Sequence, residues 1–118
     1  SRIYRLRGRV LTQMSVDDSE PVPEGAGHGK PPLTQYLGVF PDELTLVPHL
    51  VKSALKPGDF YLLCSDGLTD LLPNVMIADC IRQHTSVRQI TEHLLRTALQ
   101  NGGRDNVSVI GIKINELR

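Results

Sequence analysis

No surplus of charge of either sign marks this sequence: 13 Lys and Arg stand against 13 Asp and Glu, so the formal net charge is zero. The chain as a whole therefore has no global attraction to nucleic acid or to an anionic membrane, and neither is expected as a partner. No apolar run approaches the roughly 20 residues that a membrane-spanning helix needs. The opening residues Ser1-Arg2-Ile3-Tyr4-Arg5 read as a strand rather than a secretory signal, so the chain is expected to start in the middle of a fold. Cysteine is scarce. Cys64 and Cys80 sit in apolar surroundings without metal-ligand spacing, which reads as two reduced core thiols in a cytoplasmic protein, with a disulfide as the minor alternative. The four histidines, His28, His49, His84 and His93, share no spacing and read as surface or packing residues rather than ligands. There is no internal repeat.

What remains is an ordinary globular composition, 40% hydrophobic and 22% charged over 118 residues, which suits one small domain or part of a larger one. Residues 1–14 alternate apolar and polar positions around Arg7-Gly8 and predict a β-hairpin, with Ile3, Tyr4 and Leu6 on one arm and Val10, Leu11 and Met14 on the other. Residues 17–32, rich in Pro, Gly and charge, read as a mobile loop or as a segment that orders only against a partner. "LTQYLG" predicts a short helical turn before Gly38. "ELTLVPHLVKSAL" carries strand character, with Pro48 placing part of it at an edge or bulge. After the "KPGD" turn, "FYLLCS" is apolar enough for a central strand covered on both faces. Pro73 predicts the first turn of a helix with Ile77, Cys80 and Ile81 on one face. Ser86, with Gln89 three residues on, predicts the start of another, whose stripe is Val87, Ile90, Leu94, Leu95, Ala98 and Leu99. Asn101-Gly102-Gly103 stops it, and "NVSVIGIKI" is a terminal strand. Strands, loop, strands, two helices and a strand, with no βαβ alternation, define an α+β fold with a mainly antiparallel sheet.

Two aspartates carry the chemical question. Asp66 ends the "FYLLCS" strand and Asp105, in "GGRDN", precedes "NVSVIGIKI". If those strands are antiparallel neighbours, both carboxylates reach one rim of the sheet. Converging carboxylates without His or Cys suit a hard divalent cation, Mg²⁺ or Mn²⁺, which also relieves their repulsion. Gly67 and Gly102-Gly103 would allow tight turns and close backbone approach there. The competing reading is that Asp66 caps the short helix "GLTDLL" and Asp105 caps a turn. On the residues alone both stand.

Four blocks, "SRIYRLRGRVLTQMSVDDS", "LTQYLG", "LKPGDFYLLCSDGLTDLL" and "GGRDNVSVIGIKI", together resemble, in order and spacing, the metal-dependent type 2C (PPM) Ser/Thr protein phosphatases, the bacterial members above all. The resemblance covers only the C-terminal half of that catalytic domain, which is about twice this length. It implies an antiparallel β-sandwich flanked by helices, and hydrolysis of phosphoserine and phosphothreonine by a water activated on a two-metal Mg or Mn centre, a third ion being an option. It implies that Asp66 and Asp105 are metal ligands and that Asp70 helps hold the third ion. It implies also that residues 17–38 form a flap beside the site, with Gln35 and Gly38 facing substrate. Asp18 stands where the family has His, Gln35 where many members have Arg, and Tyr36 where a small residue is usual, so substrate preference does not carry over. The implied partners are phosphoproteins of an opposing Ser/Thr kinase system, and either the N-terminal half of the same domain or a second copy to bury the open face. The fragment alone is expected to be inactive. The alternative is a non-catalytic phosphatase-like module that binds a phosphoprotein or a regulatory partner.

Overall fold

The computed structural model describes residues 1–25 and 30–118; His28 lies outside the described residues. The chain divides into two units, Ser1–Ser15 with Val51–Arg118, and Val16–Leu50. The first holds every regular element: β1 (Arg2–Arg7), β2 (Val10–Gln13), β3 (Phe60–Cys64), α1 (Asp66–Thr69), α2 (Asn74–Arg82), α3 (Val87–Gln100) and β4 (Val109–Lys113). The strands form one antiparallel sheet in the order β2-β1-β3-β4. This is the expected α+β architecture. The hairpin turn falls on Gly8-Arg9, one residue later than the pattern suggested.

Alternation decides which face of the sheet is buried. Tyr4 and Leu6 of β1 and Phe60, Leu62 and Cys64 of β3 turn inward against Leu68, Leu72, Ile77, Cys80, Ile81, Ile90, Leu94 and Ala98. Each fully buried aliphatic side chain in this layer contributes about 1.5–3 kcal/mol. Helix α2 begins after Pro73, which occupies the cap position rather than the first turn. Helix α3 starts as expected: Ser86 Oγ accepts the Gln89 N–H at 3.4 Å. Gly103, at φ +52°, donates its N–H to the Ala98 carbonyl and ends the helix. Only Ile90, Leu94 and Ala98 of its stripe are buried; Leu95 and Leu99 flank the contact line and are exposed. Both thiols are free and buried, and burial pushes both up in pKa.

Two expectations about strands need correction. β3 is not covered on both faces: Tyr61 and Leu63 are only half-buried. The rows Ile3–Leu63–Ile110 and Arg5–Tyr61–Ile112 lie on the face away from the helices, and Ile110 and Ile112 are 59% and 46% exposed. The apolar run of β3 therefore signalled two buried faces where the described residues supply one layer of helices. Second, no strand forms in residues 43–55. Pro48 has no N–H to give a ladder, and the Val47 N–H is taken by the Gln35 side chain at 2.9 Å.

In the unit Val16–Leu50 the backbone is mostly irregular. One bridge joins Ser19 to Leu33, with Glu20 N–H on the Pro32 carbonyl and Thr34 N–H on the Asp18 carbonyl, both at 2.9 Å. "LTQYLG" forms this bridge and a turn at Leu37-Gly38 (φ +93° at Gly38) rather than a helical turn. His49 Nε2 lies 2.8 Å from Asp18 Oδ1.

A buried ion pair locks the sheet at its turn end. Asp59 is 1% exposed and accepts from Arg7 Nε at 2.8 Å, Arg7 Nη2 at 2.7 Å and the Lys56 N–H at 2.9 Å. The Arg7 guanidinium holds the Asp59 carboxyl down from 3.8 to about 2. The unfolded chain binds that proton more readily, so the stabilisation is complete above pH ~4 and drains away as pH falls toward 2. Thermal melts followed by circular dichroism across that window should show a steep acid limb in the native protein and a shallower one in Asp59→Asn. Equal slopes would remove Asp59 as the titrating group.

Candidate metal centre

The site is built from the end of β3 and the approach to β4. Cys64 pairs with Val109 in antiparallel register, and the pairing runs on past both strands, Ser65 N–H donating to the Ser108 carbonyl at 3.0 Å. The Ser65 hydroxyl accepts the Ser108 N–H at 2.9 Å and donates to the Asn106 carbonyl at 3.3 Å. Ser65 holds the N-cap position of α1, yet its hydroxyl makes no capping bond, because it is committed to this cross-strand link. Its extended backbone then turns into α1, and Asp66 is the first helical residue.

Gly67 completes the approach. A Cβ on Gly67 would lie 2.1 Å from the Asn106 carbonyl oxygen and 3.3 Å from Val107 Cγ2. Only a residue without a side chain lets the 105–107 backbone ride on the first turn of α1. The Asn101 side chain fixes the same loop from its other end, donating to the Leu71 carbonyl at 3.2 Å. Asp66 and Asp105 thus stand at one rim of the sheet, each one residue from the Gly67–Asn106 contact. The sequence pattern made the shared rim conditional on an antiparallel pairing of these strands, and the structure contains that pairing.

Ser65 occupies the N-cap position of α1, and Asp66 lies in its first turn. Asp105 Oδ1 does accept the Asn106 N–H at 2.7 Å, a turn-type bond. Asp70 follows Asp66 by one helical turn and ends α1, its N–H on the Asp66 carbonyl at 2.9 Å, so the two side chains share a helix face. Asp66, Asp70 and Asp105 are all exposed, with carboxylate donors of the kind that hard, oxygen-seeking cations take. Among the described residues, no three His, Cys, Asp or Glu side chains gather closely enough to hold a metal ion among them. The donors fit Mg²⁺ or Mn²⁺ in kind and fall short in number.

Gln35 and Gly38 lie in the unit Val16–Leu50. Gln35 works there as a backbone surrogate, its amide reaching the Thr45 carbonyl at 3.5 Å and the Val47 N–H at 2.9 Å. Sequence reading missed the part played by Ser65 and Asn106; the "SDG" triplet pointed to Gly67 as a place for a tight turn and close backbone approach, and the contact with Asn106 is such an approach. It missed also that His84 and His93 meet, Nε2 to Nδ1 at 3.0 Å, with Cys80 Sγ at 3.9 Å from His93 Nε2. No helix of the described residues is long and apolar enough to cross a membrane.

Comparison with known proteins bears on this rim. A family model described as protein phosphatase 2C matches residues 29–107, a span that includes Asp66, Asp70 and Asp105. The chain is 34% identical over 119 residues to the serine/threonine protein phosphatase PstP of Mycobacterium tuberculosis, covering 93% of this chain and 23% of PstP. It is 32% identical over 127 residues to the protein phosphatase PhpP of Streptococcus pneumoniae, covering 98% of this chain and 50% of PhpP. The crystal structure of the PstP catalytic domain with two manganese ions superposes with a TM-score of 0.77 at 31% identity, over 98% of this chain and 50% of that one. The chain thus spans half or less of the length of these relatives.

Proposed function

This chain belongs to the protein phosphatase 2C family, and on that premise we propose that residues 1–118 form the C-terminal portion of a single catalytic domain of a Ser/Thr phosphoprotein phosphatase. The observation that carries the proposal is the contact of Gly67 with the Asn106 carbonyl, which joins the residues next to Asp66 and Asp105 at the rim. Asp66 and Asp105 would hold Mg²⁺ or Mn²⁺, and Asp70 would support a further ion. When bound, such ions supply Lewis-acid stabilisation of the phosphoryl group and make water nucleophilic near neutral pH. The chain's own residues position that chemistry: Ser65 and Gly67 hold the two carboxylates in register, and Asn101 anchors the loop that carries Asp105. A cysteine-based route has no support, because Cys64 lies in a strand and burial raises its pKa.

Residues 17–38, within the unit Val16–Leu50, are the flap in this reading, with Gln35 and Gly38 toward substrate. The natural substrates are phosphoproteins made by an opposing Ser/Thr kinase system. The half-open sheet face is the surface that the N-terminal half of the domain, or a second copy, would bury.

Two carboxylates and water hold Mg²⁺ weakly, so the 118 residues alone are expected to hydrolyse p-nitrophenyl phosphate no faster than buffer. The full phosphatase chain should do so with Mn²⁺ and lose the activity on adding EDTA. Full activity in EDTA would overturn the metal reading. A second reading, a non-catalytic module that binds phosphoproteins, draws on the shortage of ligands among the described residues; a full chain that binds phosphopeptide without Mn²⁺-dependent turnover would establish it instead.

A further inference from the structure

The register that brings Asp66 to one end of the sheet sends the β1–β2 turn to the other: Arg2 pairs with Cys64, and Leu6 with Phe60. At that far end, the turn and the close of α2 border an open groove of about 660 Å³ lined by Leu6, Gly8, Arg9, Ile81, Arg82 and His84. Leu6 and Ile81 form an apolar floor. The walls are cationic and tied in place, since Arg82 Nη2 donates to the Arg9 carbonyl and Nη1 lies 3.3 Å from Asp79 Oδ1. His84 is backed by His93, their rings edge to face at 5.0 Å.

Charge at this end is unbalanced. The Asp59 carboxylate is consumed by Arg7, and that of Asp79 faces Arg82. Arg9 makes no ion pair among the described residues, and the Lys113 ammonium rests on the Thr85 carbonyl at 3.2 Å, a neutral partner. Of the two arginines lining the groove, Arg9 is thus left without a carboxylate among the described residues and Arg82 faces only the exposed Asp79, so the wall keeps a positive charge.

We propose that this groove docks an acidic segment of a partner protein, one that sets carboxylate side chains beside an apolar one. The carboxylates meet Arg9 and Arg82, and the apolar side chain lies on Leu6 and Ile81. The volume falls in the range of ligand clefts of several hundred Å³ and exceeds what one small anion fills. A nucleic-acid backbone would need a longer cationic track and would leave the apolar floor unused. Docking here keeps the partner at the opposite end of the sheet from Asp66 and Asp105.

The test uses the full phosphatase chain and a short fluorescein-labelled peptide of alternating Glu and Leu, read by fluorescence anisotropy. Binding is expected, weakened about tenfold by Arg9→Glu, by exchanging the peptide's Glu for Gln, or by raising salt beyond screening. Arg9 is exposed, so its replacement leaves the fold and p-nitrophenyl phosphate hydrolysis unchanged. Arg82→Glu removes the tie to the turn as well, and a melt accompanies it. Equal binding by Arg9→Glu, equal binding of the Gln peptide, or complete displacement by inorganic phosphate, poly(U) RNA or anionic vesicles would each overturn the proposal. The binding does not depend on catalysis: a chain that fails to hydrolyse phosphate yet binds the peptide keeps this inference and loses the other.

Discussion

Replacing Asp66 or Asp105 with Asn in the full phosphatase chain should lower Mn²⁺-dependent hydrolysis of p-nitrophenyl phosphate by ~100-fold or more. That figure is the upper end of what removing a mere supporting contact to a metal ligand costs, and loss of a ligand should exceed it. Asn keeps the shape and one acceptor oxygen but removes the charge that a hard cation needs. Both side chains are exposed, so neither change opens a cavity, and the far-ultraviolet spectrum and melting temperature without metal should stay near those of the native protein. The Mn²⁺ concentration for half-maximal activity should rise for each variant, which a purely structural role would not produce. Asp70→Asn should give a smaller loss, since its position follows Asp66 by a turn at the end of α1. Native activity in both Asp66→Asn and Asp105→Asn would remove these residues from the metal centre.

Gly67→Ala is expected to do more damage than any other single-methyl change at this rim. Propensity argues the other way: Ala in place of Gly inside a helix gains about 1 kcal/mol. Yet the added Cβ would sit 2.1 Å from the Asn106 carbonyl oxygen, and 2.9 Å from its carbon. Backbone atoms on both sides leave no flexible side chain to swing away, so α1 or the 105–107 segment must shift. Overpacking of this kind costs typically 1–3 kcal/mol or more. The steric term exceeds the propensity term, and in a catalytic domain about twice this length a net 1–2 kcal/mol lowers the melting temperature by roughly 2–8 °C. Activity should fall further than stability, because the shift separates the residue before Gly67 from the residue before Asn106, which are the two candidate ligands. Ser65→Ala is the comparison: it loses two hydrogen bonds from the same junction but adds no bulk. A Gly67→Ala protein as stable and active as the native one would show that the approach of α1 to the loop is not as tight as the fold requires.

Reading along the chain worked wherever the determinants are local. The period-2 pattern of residues 1–14 needs only neighbours to define a hairpin, and Ser86, Gln89 and Gly102-Gly103 act within one turn of the helix they bound. It worked less well where a residue's environment depends on a second layer. The unbroken apolar run of β3 reads as a strand buried twice, and only its pairing partners and the one-sided helices reveal an exposed row at Ile110 and Ile112. Residues 43–55 have strand-like side chains but no backbone partner, and a strand is not a property of a segment alone. The Arg7–Asp59 lock was invisible for the same reason, since 52 residues separate its members.

The candidate centre divides along this line. The residue types by themselves determined that a carboxylate chemistry was available, because Asp66 and Asp105 flank apolar strands and carry glycines beside them. The four blocks shared with type 2C phosphatases told which chemistry to look for. Whether the two aspartates share a rim was decided only by tertiary structure, through the β3–β4 register and the bare α-carbon of Gly67 against Asn106. Pairing of distant strands is a contest among long-range partners, settled by which faces can be buried together, and no stretch of sequence read alone contains its outcome.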